Sequence, residues 1–574
     1  MSASSDIAIS RRGFVGLAAA AAGTLAASGI VGPAKAARAE EGTGTDRYLV
    51  WNLAAEPASW DPTTNSESIS DYLVTQMFEG LTYPTADGYE PGVAESWDVS
   101  DDGLTYTFHL RDNAKWSDGT PVTAKDFEYS WRRICDPAVA SDALQAVTDY
   151  IVGAQEYFEG TGSRDDVKAT ALDDYTFEVV LKNAAPFFPE LVANDVYMPV
   201  QQATVEANGE GWEKKPETCI GNGPFKMTQY NIGDSFILEK NENYWNADAV
   251  QLKGIKVVMI GDENTSLQGY QNGEIDATET LPTDQIPQLI ATDPNLVVAP
   301  DTGCTYLIMN CDKAPIDDVN VRKAIAAAID RKAIVEQVTQ AGEIPATGIL
   351  APTAEKTDGS SYRELDAFGY PVPEYGIDPN QALVDEAKQY LSDAGYPDGE
   401  GFPEIEITYN TSDKWKKLME AIQSQLKENL GITVTLRAEE SSVFAGTRQQ
   451  GDFQIARGGW TNVPFDASGL IKQFTSQNGN NASQWRWQEY AGAPWDTTLN
   501  PGNEAFDEAF NKAMTLQGTE RDDEWVVAEQ ALMDDMPCVP LYYPVQTYVV
   551  GPKVAGVVKT KSLRWVFKGA SIVE

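Results

Sequence analysis

Only one histidine, His109, occurs in the 574 residues. Every Ser-His or Cys-His nucleophile, and every histidine-ligated metal, would have to be built on that side chain. It falls on the polar side of the run Leu104-Thr105-Tyr106-Thr107-Phe108-His109-Leu110, where apolar and polar residues alternate with the period of a half-buried strand, so it reads as a surface histidine. Carboxylates are the opposite case. With 86 Asp and Glu, chance alone supplies pairs such as Asp101/Asp102 or Asp534/Asp535, and nothing marks two of them as a glycosidase acid and base across a cleft. No G-x-x-x-x-G-K-[ST], no G-x-G-x-x-G opening a helix, no H-E-x-x-H and no C-x-x-C is present. Gly221-Asn222-Gly223-Pro224 lacks the Lys-Ser/Thr of a phosphate loop and reads as a tight connection into a strand at Phe225 to Met227. Fourteen Trp could line a sugar groove or simply fill cores. No catalytic residue, no metal site and no cofactor is expected.

The elements that must position any binding group belong to an ordinary globular chain, with 42% hydrophobic residues and a length that suits three to four domain-sized units. The formal charge of −43 repels phosphate backbones and anionic lipid, which excludes nucleic acid as a first-choice partner. The first 39 residues read as an export signal. Arg11-Arg12 precede Phe14 and a weakly apolar Ala- and Gly-rich run from Leu17 to Val31, in the form of a twin-arginine signal with Gly16 where Lys is common; small residues at Ala34/Ala36 or Ala37/Ala39 offer two cleavage sites, of which the second is favoured. An uncleaved anchor is the alternative. No cysteine stands behind the apolar run, so lipid anchoring by that route is not encoded, and an exported periplasmic or cell-surface protein is expected. Five scattered cysteines (Cys135, Cys219, Cys304, Cys311, Cys538) allow two disulfides at most, with no pairing favoured.

A polar tether at residues 40 to 46 leads to a strand at Tyr48 to Leu53. Tyr175, Phe177, Val179 and Leu181 repeat the alternation of the His109 strand. Further on, Val321, Ile325, Ala328, Ile329 and Val335 follow helical spacing after Asp318 as N-cap. A second helix is expected to begin at Asp378-Pro379, run through Leu383, Ala387, Leu391 and Ala394, and close at Gly395 and Pro397. Strand Ile405 to Tyr409, helix Asp413 to Leu430 ending at Gly431, and strand Ile432 to Leu436 predict a strand-helix-strand unit. The fold class is therefore mixed α/β with several sheets.

Residues 94 to 133 are more specific than any of these patterns. Ala94-Glu95-Ser96-Trp97, Leu104 to Arg111, Trp116-Ser117-Asp118-Gly119-Thr120-Pro121-Val122-Thr123-Ala124, Asp126-Phe127 and Ser130-Trp131-Arg132-Arg133 together resemble the signature of the bacterial oligopeptide- and dipeptide-binding proteins. These are the large extracellular solute-binding proteins, family 5, of ABC importers. The resemblance continues in order through Phe78-Glu79-Gly80-Leu81, Gly221 to Phe225, Asn243-Tyr244-Trp245, Gly273-Glu274-Ile275-Asp276, Val321-Arg322-Lys323-Ala324, Asp330-Arg331, Tyr409 to Asp413 and Val539 to Tyr543.

The resemblance implies a two-lobed, three-domain periplasmic-binding-protein-like fold with mixed sheets and a hinge: domain I at 46–68, 198–300 and 545–574, domain II at 69–197, and domain III at 301–544. It implies a non-enzymatic protein that holds an extended peptide as an added strand, by main-chain hydrogen bonds, and passes it to permease subunits. A monomer is expected, meeting the membrane only through its importer. The ligand-flanking segments would be Glu56-Pro57-Ala58-Ser59 and Ala456 to Asn462. Trp460 would pack on the ligand, Gly459 and Thr461 would offer it backbone groups with Asn462 beside them, and Arg457 would reach a ligand carboxylate with its forked donors. Peptide binders of the family carry Asp three residues after that Trp, to pair with the ligand's α-amino group. Here Val463 stands there, leaving Asp466 or Glu56 as substitutes or implying a ligand with a blocked or modified N-terminus. The family bridge from the cysteine matching Cys304 has no partner, because Thr461 occupies the second position. An oligosaccharide or metal-chelate binder of the same fold, a secreted hydrolase and a sensing receptor are the competing readings.

Overall fold

The computed structural model describes residues 47–65, 67–86, 88–367, 369–460, 466–476, 478, 481–485, 504–560 and 564–573. The export signal and the tether lie outside them. The chain forms two compact units, one of residues 286–292 and 298–546, the other of the described residues up to 285 with 293–297 and those from 547.

The second of these units contains a four-stranded antiparallel sheet in the order Ala94–Val99, Thr105–Leu110, Thr176–Val180, Ala169–Ala171. The alternation read around His109 is realised: Tyr106, Phe108 and Leu110 are buried and the intervening residues half-buried. His109 Nε2 lies 2.8 Å from an oxygen of the exposed Asp98. Helix Ala124–Ile134 starts at a capping box in which Thr123 and Asp126 satisfy each other's backbone N–H groups. It lays Phe127 and Trp131 against Phe177, with ring centroids 5.8 and 5.0 Å apart. A seven-stranded sheet runs Leu296–Pro300, Val545–Val550, Ala277–Thr278, Leu49–Asn52, Gly254–Val258, Ser235–Lys240, Phe225–Asn231. Its first two strands contain points at which the chain changes unit.

Several of the motifs singled out in the sequence meet in this unit around Glu79, which is fully buried. Its carboxylate accepts from the Tyr244 hydroxyl and from Trp245 Nε1 at 2.6 Å. Its backbone N–H donates to Asn222 Oδ1 at 3.0 Å, and its carbonyl accepts from Asn222 Nδ2 at 2.9 Å. The Gly221–Pro224 turn is structural, as expected, and feeds strand Phe225–Asn231. Gly223 donates its N–H to the Met77 carbonyl at 2.8 Å, and a Cβ there would lie 2.5 Å from a Met77 backbone carbon. Burial pushes the Glu79 carboxyl up to about 7, against the opposing pull of Tyr244, Lys568, Trp245 and Arg111.

The first unit is built on a six-stranded mixed sheet: Ile344–Pro345, Cys538–Tyr543, Cys304–Met309, Ile455–Trp460, Ile405–Asn410, Val434–Glu439. The predicted strand-helix-strand unit is present, with Ile405–Asn410 and Val434–Glu439 parallel and helix Asp413–Leu430 between them in sequence. Ser412 caps that helix by accepting the Trp415 N–H at 3.1 Å, and Gly431 ends it at φ 71°. Leu418, Met419, Ile422, Leu426 and Leu430 give it one buried face.

Two helix expectations are corrected. The stripe from Val321 to Val335 is not one helix: Val319–Ala327, capped by Asp318, ends before Asp330, whose carboxylate caps Ala333 and starts a new turn that passes into a π-helix at Ile334–Thr339. The helix expected from Asp378 begins only at Val384. Asp378 instead closes its own turn, accepting from the Asn380 N–H at 2.9 Å, a local bond that competes with helix formation. All five cysteines are buried free thiols.

Candidate functional site

Strand Ile455–Trp460 lies inside the six-stranded sheet, antiparallel to Cys304–Met309 and parallel to Ile405–Asn410. Its Gly458 is dictated by packing. A Cβ there would come within 2.5 Å of the Tyr306 ring and 2.7 Å of Ile308, and Tyr306 is fixed by its hydroxyl bond to Gln473 at 2.8 Å. Gly459 is different, since a Cβ would find its nearest neighbours at 3.6 and 3.7 Å. The carboxyl ends of the parallel strands Ile405–Asn410 and Ile455–Trp460 meet the start of helix Asp413–Leu430, the place where open α/β sheets collect ligand-binding groups. Three cations gather there.

Arg457 donates its Nε–H to Asn410 Oδ1 at 3.1 Å and holds its guanidinium carbon 4.4 Å from the Trp415 ring and 5.7 Å from Phe444. Arg448, one turn beyond Phe444 on helix Ser441–Gln450, places its own guanidinium 5.8 Å from the same Phe444 ring. Lys414 Nζ is 5.4 Å from the Trp415 ring and 5.9 Å from Tyr542. The aromatic faces explain how like charges are tolerated close together, since Trp415 and Phe444 each offer negative quadrupole density to two cations. Burial, with Arg448 adding repulsion, pulls the Arg457 guanidinium below its usual range. Lys414 has a counter-charge, Glu343 at 3.9 Å. Among the described residues neither Arg448 nor Arg457 has a carboxylate within ion-pair distance, and the buried Nε of Arg448 has no acceptor. In a chain with twice as many acidic as basic residues, these are two arginines beside one ring with no carboxylate partner among the described residues.

Of the residues nominated from sequence, Arg457, Gly459, Trp460 and Asp466 lie in this unit and Glu56, Ala58 and Ser59 in the other. Thr461, Asn462 and Val463 lie outside the described residues. Trp460 is half-buried against the core of the sheet and donates its indole N–H to the Gly469 carbonyl at 2.9 Å. Asp466 caps helix Ala467–Ile471 through the Ser468 N–H and is gripped by both guanidinium nitrogens of Arg521, one at 2.8 Å. Glu56 accepts from the Tyr230 hydroxyl and from the Gly233 N–H at 2.5 Å. Asp466 is thus charge-paired with Arg521, whereas both partners of Glu56 are uncharged donors. The Ala58 N–H donates to Glu67 at 3.1 Å and its carbonyl accepts from Lys214 at 2.8 Å, while the Ser59 hydroxyl donates to Glu213 at 3.1 Å.

Sequence reasoning missed Arg448, Trp415 and Phe444. Phe444 and Arg448 stand four residues apart on one helix, which is a legible pair. What joined them to Arg457 is a helix-to-strand connection whose path no periodicity reveals.

The family model described as "Bacterial extracellular solute-binding proteins, family 5 Middle" matches residues 88–482. The chain belongs to this family. Family 5 proteins are solute-binding proteins and not enzymes. The chain is 35% identical over 521 residues to the oligopeptide-binding protein OppA of Bacillus subtilis (strain 168), covering 88% of this chain and 89% of that protein. Among solved structures it resembles the unliganded open form of MppA, a periplasmic murein tripeptide binding protein, with TM-score 0.78, 30% identity and coverage of 93% and 98%. It also resembles Haemophilus influenzae OppA in complex with RPPGFSPFR, with TM-score 0.70, 28% identity and coverage of 92% and 100%. The family 5 relatives are periplasmic or extracellular binding proteins, and no helix among the described residues is long and apolar enough to cross a membrane.

Proposed function

We propose that this family 5 protein is the exported substrate-binding component of an ABC importer and captures oligopeptides, holding the ligand's terminal carboxylate on Arg457. The observation that carries the reading is the Arg457 guanidinium itself. It is poised by Asn410, Trp415 and Phe444 and left without a carboxylate among the described residues. The relatives named for oligopeptides support the peptide class. Closure of two lobes about a hinge, the three-domain division at 46–68 with 198–300 and 545–574, 69–197 and 301–544, delivery to permease subunits and the twin-arginine route belong to the same reading, on the strength of family membership. Asp466 is paired with Arg521, Glu56 with its uncharged partners is kept as the counter-charge for a ligand ammonium, and peptides with blocked or modified N-termini are included among the ligands.

The first test is native mass spectrometry of the exported protein, with fragmentation of whatever denaturation releases. A set of peptides supports the reading, and a single non-peptide mass overturns the peptide class. The second is calorimetry of a peptide against its C-terminal amide. The amide binds about 10- to 100-fold more weakly if Arg457 makes a charge-assisted pair, and Arg457→Met erases that difference.

A further inference from the structure

The C-terminal segment returns over the second unit and is fastened there mainly by side chains. Its strands Val558–Lys559, Trp565–Val566 and Ser571–Ile572 are two residues each, too short to hold themselves in water. Gln76, on helix Ser68–Met77, donates to the Trp565 carbonyl at 2.7 Å and accepts from the Phe567 N–H at 3.2 Å. Lys559 pairs with Glu279, and Lys568 with Glu90 at 2.6 Å. Arg564 is the anchor whose charges do not match. Its Nη2 donates to Asp71 at 3.2 Å and to Asp195 at 3.0 Å, and its Nη1 donates to the neutral Asn194. Asn65 Nδ2 bridges the same two carboxyl groups from the other side, at 2.8 and 3.0 Å. Asn65, Asn194, Asp195 and Arg564 are all buried, so the ring sets two carboxyl groups against one guanidinium in a largely dry site.

Two carboxylates in one buried site keep a proton between them, because one guanidinium does not offset the desolvation of both. Burial first, and then Asp71, push the Asp195 carboxyl up, against Arg564 and Asn65. Helix Ser68–Met77 presents Asp71 and Tyr72 to the ring, and the C-terminal segment presents Arg564. Lys559 lies over the Tyr72 ring, 5.5 Å from its centroid. Helix Ala124–Ile134 meets the turn Asp195–Tyr197 through the indole of Trp131, which donates to the Tyr197 carbonyl at 2.9 Å, and the Tyr197 hydroxyl is engaged by the Ala146 carbonyl.

We propose that residues 564–573 are a proton-dependent clasp: one proton on the Asp71–Asp195 pair keeps them closed over helix Ser68–Met77, and its loss opens them. The closed, buried pair binds the proton more tightly than the hydrated pair of the opened clasp. Closure is therefore favoured at low pH and is lost as pH rises through the range in which the buried pair ionises.

The experiment is hydrogen exchange of the purified exported protein, read on the amides of residues 564–573 and corrected for the intrinsic pH dependence of exchange. Protection is expected to fall by roughly tenfold or more between about pH 6 and about pH 9. The fall disappears in Asp195→Asn. It disappears equally in Asp71→Asn, which neutralises the pair from the other side and stands in should melting curves show that the first variant folds poorly. It persists in Glu79→Gln, which removes the other buried carboxyl near this segment, the one that Lys568 faces. Level protection in the parent, or a fall that survives in both Asn variants, overturns the inference. A fall that vanishes in Glu79→Gln overturns it as well, and places the proton on Glu79.

Discussion

Glu79 shows how a residue can be prominent in sequence and still serve the scaffold. It is fully buried, bonded by Tyr244, Trp245 and Asn222, and its carboxyl is pushed up to about 7 because burial outweighs the Tyr244, Lys568, Trp245 and Arg111 contributions. The consequence for stability has a definite sign. In the unfolded chain the carboxyl titrates near its ordinary value, so between about pH 4.5 and 7 the folded state holds the extra proton, and stability falls as pH rises through that window. Glu79→Gln, which keeps the shape and cannot ionise, is expected to flatten the decline and to melt higher than the parent at pH 8. The gain is on the order of 3 kcal/mol at most, because each tenfold difference in proton affinity between folded and unfolded chain is worth ~1.4 kcal/mol. Melting temperatures of both proteins from pH 5 to 8 check this. A parent whose stability rises across that range would show that the Tyr244 and Trp245 donors hold Glu79 ionised.

At the scale of elements, the strand Ile455–Trp460 carries two adjacent glycines with opposite roles. Gly458 has Tyr306 and Ile308 where a Cβ would go, and at Gly459 a Cβ would make only ordinary van der Waals contact. Gly458→Ala is expected to cost about 1–3 kcal/mol, because the obstructing atoms belong to a buried ring and a buried branched side chain that cannot swing away. Gly459→Ala should lie within about 0.5 kcal/mol of the parent in the ligand-free protein. Denaturant melts of the two variants decide it, and equal losses would mean that the strand itself requires glycine at both positions. Sequence could not separate these residues, since both sit in one Arg-Gly-Gly-Trp run and the difference lies in what the neighbouring strand presents. It did expose helix Asp413–Leu430, because Ser412 and Gly431 mark its ends and one apolar stripe runs between them. It misplaced the start of helix Val384–Asp393, because an Asp-Pro pair signals a turn as readily as a cap. The site was legible only as far as Arg457. Its companions Arg448 and Trp415 are brought to it by tertiary packing of three different elements, which leaves no period in the chain.

The whole molecule carries a formal charge of −43, and that charge acts on folding and on binding in opposite directions. Repulsion among dispersed surface carboxylates favours the expanded chain, so added salt, with a Debye length of about 10 Å at 0.1 M, should relieve it and raise the melting temperature. The buried pairs do not reverse this. Arg363 with Glu529, and Arg564 with Asp195, are shielded from mobile ions by the protein around them and so lose little. An acidic ligand approaching Arg448 and Arg457 is screened in the other sense, because the attraction it feels is between opposite charges. Raising sodium chloride from about 20 to about 500 mM is therefore expected to increase the melting temperature of the ligand-free protein while weakening a peptide more than its C-terminal amide. A repeat in potassium chloride separates ionic strength from sodium binding. A melting temperature that falls with salt would mean that surface ion pairs such as Lys125 with Asp174 and Lys512 with Glu524 outweigh the net repulsion. Parallel weakening of the peptide and its amide would mean that the terminal carboxylate is not read by a charge-assisted pair with Arg457.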